Sequence, residues 1–206
     1  MSDNPNDSRE MALKFYDAAR TELVERIRLR ETILLFYITV IATLLGVAYN
    51  KANHHGVLLI IPYISFSIGY LLQHHNTLIG TLGRYCYSLH ISHLVYGFDK
   101  PLEQWDNSSI LREQSELATS SRFWPQAAIL SIPSGFALFV NHERYDDIVE
   151  ANSLFSTEFI GWAAWWLGGV MTFFSVYFLY ESKAARKSLF NEITEEMDEY
   201  HAKFRN

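Results

Sequence analysis

The chain has 206 residues, 49% of them hydrophobic, with 17 Lys and Arg against 23 Asp and Glu and a formal charge of −6. That length suits one domain, and the acidic balance gives no support for a nucleic-acid partner. The single cysteine, Cys86, excludes an intrachain disulfide framework and a cysteine-based zinc cluster; it is expected as a small residue near a membrane surface.

The averages hide a segregation of charge. Charged residues vanish from 32–50, 52–83, 123–142 and 159–180, windows of 19, 32, 20 and 22 residues. Crossing a hydrocarbon core of ~30 Å takes about 20 helical residues. The four windows therefore predict an all-α integral membrane protein with four transmembrane helices.

In chain order, residues 1–10 are expected to be disordered; they are polar and lack an apolar region with a cleavage site, so no signal peptide is expected. Residues 11–96 read as an amphipathic helix followed by a transmembrane hairpin with a cytoplasmic extension. Ala12, Tyr16, Ala19, Leu23 and Ile27 recur at spacings of three and four, which predicts an apolar stripe. Glu22 and Arg26 form a favourable pair one turn apart. No Pro or Gly separates this stretch from "TILLFYITVIATLLGVAYN", so one long helix should enter the membrane. Arg26, Arg28 and Arg30 in "ERIRLRET" should form a basic collar at anionic headgroups.

The short "NKANHHG" turn makes the first two helices an antiparallel hairpin. Pro62 falls one turn into the second helix, where it bends rather than breaks it. "LIGTLGRYCYSLHISHL" then continues beyond the membrane. Residues 97–122 are expected as a cytoplasmic loop broken by Gly97 and Pro101, with "ILREQSELATSSRFW" as a short helix on the membrane surface. Residues 123–181 hold the second transmembrane pair around an acidic outer loop, and Pro133, Ser134 and Gly135 weaken the third helix midway. Residues 182–206 form an amphipathic cytoplasmic helix, with Phe190, Ile193, Met197, Tyr200 and Phe204 at spacings of three and four.

Basic residues set the orientation. With both termini in the cytoplasm only Lys51 and Arg144 lie outside, leaving 15 of the 17 Lys and Arg inside, as the positive-inside rule favours. The spans carry faces of small or polar residues: Thr39, Thr43, Gly46 and Asn50 on the first; Ser65, Gly69, Gln73, Asn76 and Gly80 on the second; Gly161, Gly168 and Thr172 on the fourth. Such faces let helices approach closely in lipid. With Pro133 they are the candidates for helix packing or for lining a pore, and packing is the plainer expectation. No Asp, Glu, Lys or Arg lies inside a span, which argues against proton pumps, voltage sensors and coupled transporters.

His54 and His55 precede the second apolar run, and His74 and His75 follow it. His55 and His74 stand about 28 Å apart along a helix. The two pairs are therefore expected at opposite membrane faces, with no shared metal; His74 and His75 are candidates for pH sensitivity on the cytoplasmic side. "RYCYSLH" has the Arg-to-His spacing of HEPN ribonucleases, but Tyr85 stands where those enzymes usually carry a polar residue. Nucleophile-elbow, zinc-protease and P-loop patterns are all missing. No catalytic, cofactor or metal residue is expected, and the chain is not expected to be an enzyme. Trp162, Trp165 and Trp166 suit an interfacial belt.

The charged helix "YDAARTELVERIRLRE", the tight hairpin and the long second helix leaving through "LIGTLGRY" resemble small bacterial membrane proteins of anti-phage and CRISPR-type defence systems, the SLATT-like effectors. The resemblance covers about residues 12–90, and the second pair of spans departs from the two-span plan. It implies a homo-oligomer in the bacterial inner membrane that perturbs the bilayer when a cytosolic sensor is triggered. The alternative is a non-conducting anchor or scaffold that docks a cytosolic partner through its terminal helices.

Overall fold

A computed structural model of the protein describes residues 5–50, 55–87, 109–142 and 157–203. Among these residues the chain is all-helical: α1 (Pro5–Asn50), a 3-10 turn (His55–Ile60), α2 (Ile61–Tyr87), α3 (Ser109–Val140) and α4 (Thr157–Lys203). Each of the four α-helices contains a stretch long and apolar enough to cross a membrane, within Arg9–Asn50, His55–Cys86, Arg122–Val140 and Phe159–Ala185. These segments fall on the four uncharged windows.

Local chemistry explains the helix limits. α1 opens on Pro5, inside the stretch expected to be disordered. Proline suits a first helical position, because its fixed φ is helical and its missing N–H would be unpaired there anyway. From Pro5 to Gly46 nothing interrupts the helix, so its 46 residues extend about 69 Å at 1.5 Å per residue. Pro62 is the second residue of α2, and the 3-10 turn lies immediately before it. Its ring excludes an α-helical bond back to Leu58, and the tighter turn takes up the change.

α3 differs most from expectation. The segment read as a separate surface helix is continuous with the third apolar run, and Pro125 and Pro133 both lie inside the helix. Helix-forming "LREQSELA" contains no Gly, and each proline deletes one backbone bond without ending a helix anchored on both sides. The C-terminal amphipathic segment is likewise the continuation of the fourth apolar helix, since no Pro or Gly follows Gly169. The loops around Lys51, 97–108 and 143–156 lie outside the described residues, as does His90 of the Arg84–His90 pattern.

The chain divides into two compact units. One comprises Met1–Leu29, His74–Ser121 and Ser182–Asn206. In it Ala12 is buried with Tyr16 packed against it, and α2 buries His75, Asn76, Ile79 and Cys86. A Cβ on Gly83 would stand 3.8 Å from Leu23 Cδ1 of α1, and Arg84 pairs with Glu192 of α4 at 2.8 Å.

The other unit comprises Arg30–Gln73 and Arg122–Glu181. Its core joins Leu34, Tyr37, Ile41 and Ala48 of α1 to Leu58 and to Ile61, Ile68 and Leu72 of α2, closed by Ala127, Leu130 and Ala137 of α3 and Leu179 of α4. α2 is the central helix: 44% of its most apolar stretch is buried, against 11% for α4. Between helices in lipid, exclusion from water contributes little and close packing contributes most. Gly69 and Gly168 provide it. A Cβ on Gly69 would stand 3.0 Å from Cα, Cβ and O of Ser175; one on Gly168 would stand 3.2 Å from Leu138 and 3.3 Å from Pro62.

Candidate functional site

Within the Arg30–Gln73 and Arg122–Glu181 unit, three hydroxyls from three helices meet in the uncharged interior. Tyr37 of α1, Ser65 of α2 and Ser134 of α3 are 1%, 0% and 0% exposed. Tyr37 Oη and Ser65 Oγ are 2.7 Å apart, and Ser134 Oγ lies 2.7 Å from Ser65 Oγ. Ser65 has one proton and two acceptors in reach, Tyr37 Oη and the Ile61 carbonyl at 2.9 Å; the arrangement that satisfies every hydroxyl has Ser65 donating to Ile61 and Tyr37 donating to Ser65. Ser134 has one proton and two acceptors in reach, Ser65 Oγ and the Leu130 carbonyl at 2.8 Å. Each buried hydroxyl is thus satisfied, as a low-dielectric interior requires.

Other polar contacts sit towards the ends of the same unit. Asn141, 1% exposed, donates from Nδ2 to the Ala137 carbonyl at 2.9 Å and to the His55 carbonyl at 3.1 Å. Trp165 donates from Nε1 to the Leu138 carbonyl at 2.8 Å. The bonds to Ala137 and Leu138 occupy carbonyls in the last turn of α3, and the bond to His55 ties that end to the 3-10 turn. Tyr63 donates to the Ala164 carbonyl at 2.8 Å, and Gln73 donates from Nε2 to Glu181 at 2.8 Å.

The structure separates the small-residue faces. Ser65, Gly69 and Gly168 are buried, Gln73, Pro133, Gly161 and Thr172 are half-buried, and Thr172 donates to the Gly168 carbonyl at 2.8 Å. Thr39, Thr43, Gly46 and Asn50 instead lie on the exposed side of α1. Thr39 and Thr43 donate to the Leu35 and Thr39 carbonyls, both at 2.9 Å, and a Cβ on Gly46 would meet nothing within 4 Å. The buried side of α1 is Leu34, Tyr37, Ile41 and Ala48.

The arginine collar divides as well. Arg26 pairs with Glu22 at 2.9 Å and Arg28 is exposed, whereas Arg30 is 3% exposed and pairs with Glu31. Arg30 stands four residues before Leu34 and seven before Tyr37, which turns it to the buried side of α1. His55 belongs to one unit, and His74 (exposed) and His75 (buried) to the other, which also holds buried Asn76 and half-buried Gly80. The rings of His74 and His75 lie 6.0 Å apart, edge to face. Among the described residues no group of three His, Cys, Asp or Glu could hold a metal ion.

Sequence reasoning missed the partners of Tyr37. Its signal was present: a phenol on the apolar face of an uncharged helix needs an acceptor inside the bundle. Asn141, the last uncharged amide before the acidic loop, carried a similar signal.

Four long apolar helices packed through small residues and buried hydroxyls are compatible with an integral membrane protein. No protein-family model, curated protein or solved structure matches the chain.

Proposed function

We propose that the chain is a self-associating integral membrane protein that makes the bilayer leaky as an assembly: a pore-forming effector, with both termini in the cytoplasm of a bacterial cell and control exerted from that side. The observation that carries this reading is the exposed face of α1. A single copy turns Leu34, Tyr37 and Ile41 inward and leaves Thr39, Thr43, Gly46 and Asn50 outside. Beside exposed Leu35, Phe36 and Val47, which suit lipid tails, these small residues let a second copy pack against the face closely. The lack of charge in the spans favours a weakly selective leak over coupled transport. A place in antiviral defence follows from the resemblance of residues 12–90 alone.

Inducible expression with a membrane-potential dye tests the proposal. Wild type depolarises cells and cross-links as oligomers in membranes, and Gly46→Leu loses both at equal expression. Unchanged potential with the wild-type chain, or a monomer in membranes, refutes it.

A second reading, a non-conducting anchor for a cytosolic partner, draws on Met11 and Phe15, each 59% exposed on a charged stretch of α1. Deleting residues 1–20 separates the two: a scaffold loses its partner in pull-downs, and a pore loses control of depolarisation.

A further inference from the structure

We propose that α3 contains a latched hinge at Pro133–Gly135, held shut by the hydroxyls of Tyr37, Ser65 and Ser134. The proposal deepens the reading of the chain as a regulated membrane effector, but its first test does not depend on that reading.

Three consecutive residues weaken the backbone ladder of α3. Pro133 has no N–H, so the Ile129 carbonyl loses its helical donor. When it is not donating to Ser65, Ser134 directs its hydroxyl to the Leu130 carbonyl, the acceptor its own amide uses, a back-bond that slightly destabilises and bends helices. Gly135 is a poor helix former, and a Cβ there would meet nothing within 4 Å, so the helix has free space on that side. Sharp changes of helix direction in proteins concentrate at such combinations.

The latch follows from the proton count. When Ser134 donates to Ser65, α3 is tied to α2 and, through Tyr37, to α1. When Ser134 donates to Leu130, that tie is released, yet Tyr37 remains bonded to Ser65 and Ser65 to Ile61. Release therefore strands no buried donor, the usual large cost of parting polar groups in an apolar interior. The two arrangements hold the same number of hydrogen bonds and differ only in which acceptor takes the Ser134 proton, which makes the element bistable rather than rigid. Which half moves is also set. Beyond the hinge, Asn141 bonds the His55 carbonyl and Trp165 bonds the Leu138 carbonyl, pinning the Gly135–Val140 end. The Arg122–Ile132 half meets the core through Ala127 and Leu130, apolar contacts that can slide, so in the proposed hinge it is the moving arm.

Hydrogen exchange on the full chain in lipid nanodiscs tests the hinge. Ser134→Ala should speed exchange at amides 130–132 and 134–137 about threefold to twentyfold, the range for one side-chain hydrogen bond between membrane helices. Amides of α2 and α4 should stay unchanged. Pro133→Ala restores the missing donor, so exchange falls below wild type, and the double variant lies between the two. Unchanged exchange in Ser134→Ala, an equal rise across all four helices, or no effect of Pro133→Ala overturns the hinge. Membrane potential is the separate readout: localised faster exchange with extra leakage supports the hinge as a gate, and the same exchange without leakage supports the hinge while refuting the pore.

Discussion

Replacing Gly69 by alanine tests the central packing claim most directly. The new Cβ would stand 3.0 Å from Ser175 Cα, Cβ and O, and two of those three atoms are backbone. α4 cannot turn a side chain away; it must move as a helix, and overpacking of this kind costs about 1–3 kcal/mol. Any glycine-to-alanine change in a helix also gains about 1 kcal/mol of propensity, which would partly mask the clash. Gly46→Ala supplies the correction, because its Cβ meets nothing within 4 Å and it carries the propensity gain alone. Gly168→Ala should fall between them: its neighbours at 3.2 and 3.3 Å are the Leu138 side-chain tip, which can rotate, and the Pro62 ring, which cannot. The expected order of stability is Gly46→Ala above wild type, then Gly168→Ala, then Gly69→Ala, with about 1–3 kcal/mol between the first and last. Reversible unfolding in mixed micelles measures it. A Gly69→Ala chain as stable as Gly46→Ala would refute the close α2–α4 approach.

The hydroxyl junction predicts an asymmetry. Tyr37→Phe removes a donor and leaves Ser65 bonded to Ile61, costing about 0.6–1.7 kcal/mol; Ser65→Ala strands the buried Tyr37 hydroxyl and costs about 1–3 kcal/mol. The double variant no longer carries the stranded hydroxyl and should be more stable than Ser65→Ala in unfolding measurements, and simple additivity would show that the hydroxyls do not interact. Asn141→Leu deletes the donor to the Ala137 and His55 carbonyls and should lower stability by about 1–3 kcal/mol, while Asn141→Gln keeps the donor and loses less; equal losses would argue against those bonds. The hydrogen bond and the charge of Lys14 hold the Glu10 carboxyl below the ordinary glutamate range. Its ion pair is therefore complete at neutral pH and is lost as pH falls through the depressed titration, and NMR titration should show Lys14→Ala moving the Glu10 midpoint up. A midpoint unmoved by Lys14→Ala would exclude the pair in solution.

The apolar helices were legible because an uncharged run of helical length has few other uses. Their interruptions were less so. Pro62 was legible as a perturbation, but whether a proline bends a helix or is preceded by a 3-10 turn depends on where the α-helical ladder begins, which its neighbours do not state. The separation of α3 from its preceding segment was read from loop chemistry at 97–108, whereas helix formers after Ser109 carry the helix straight through Pro125. Arg30 shows the limit of composition: its charge placed it in a collar, while its spacing to Leu34 and Tyr37 turned it inward.

The same spacing separates two kinds of polar residue that look alike in the sequence. Ser65 and Ser134 bond across helices as well as along them, so their loss changes tertiary structure. Thr39 and Thr43 donate only to carbonyls of α1 itself. Their protons are already used, and a second copy meeting this face can donate to the threonine oxygens but gains no donor from them. Association through α1 would therefore rest on close packing at Gly46 more than on hydrogen bonds. Gly46→Leu should consequently disrupt assembly more than Thr43→Val, which keeps the shape and removes the hydroxyl. If cross-linking in membranes shows the reverse order, the face acts through its polarity, and contact with water rather than with another helix becomes the better account of α1.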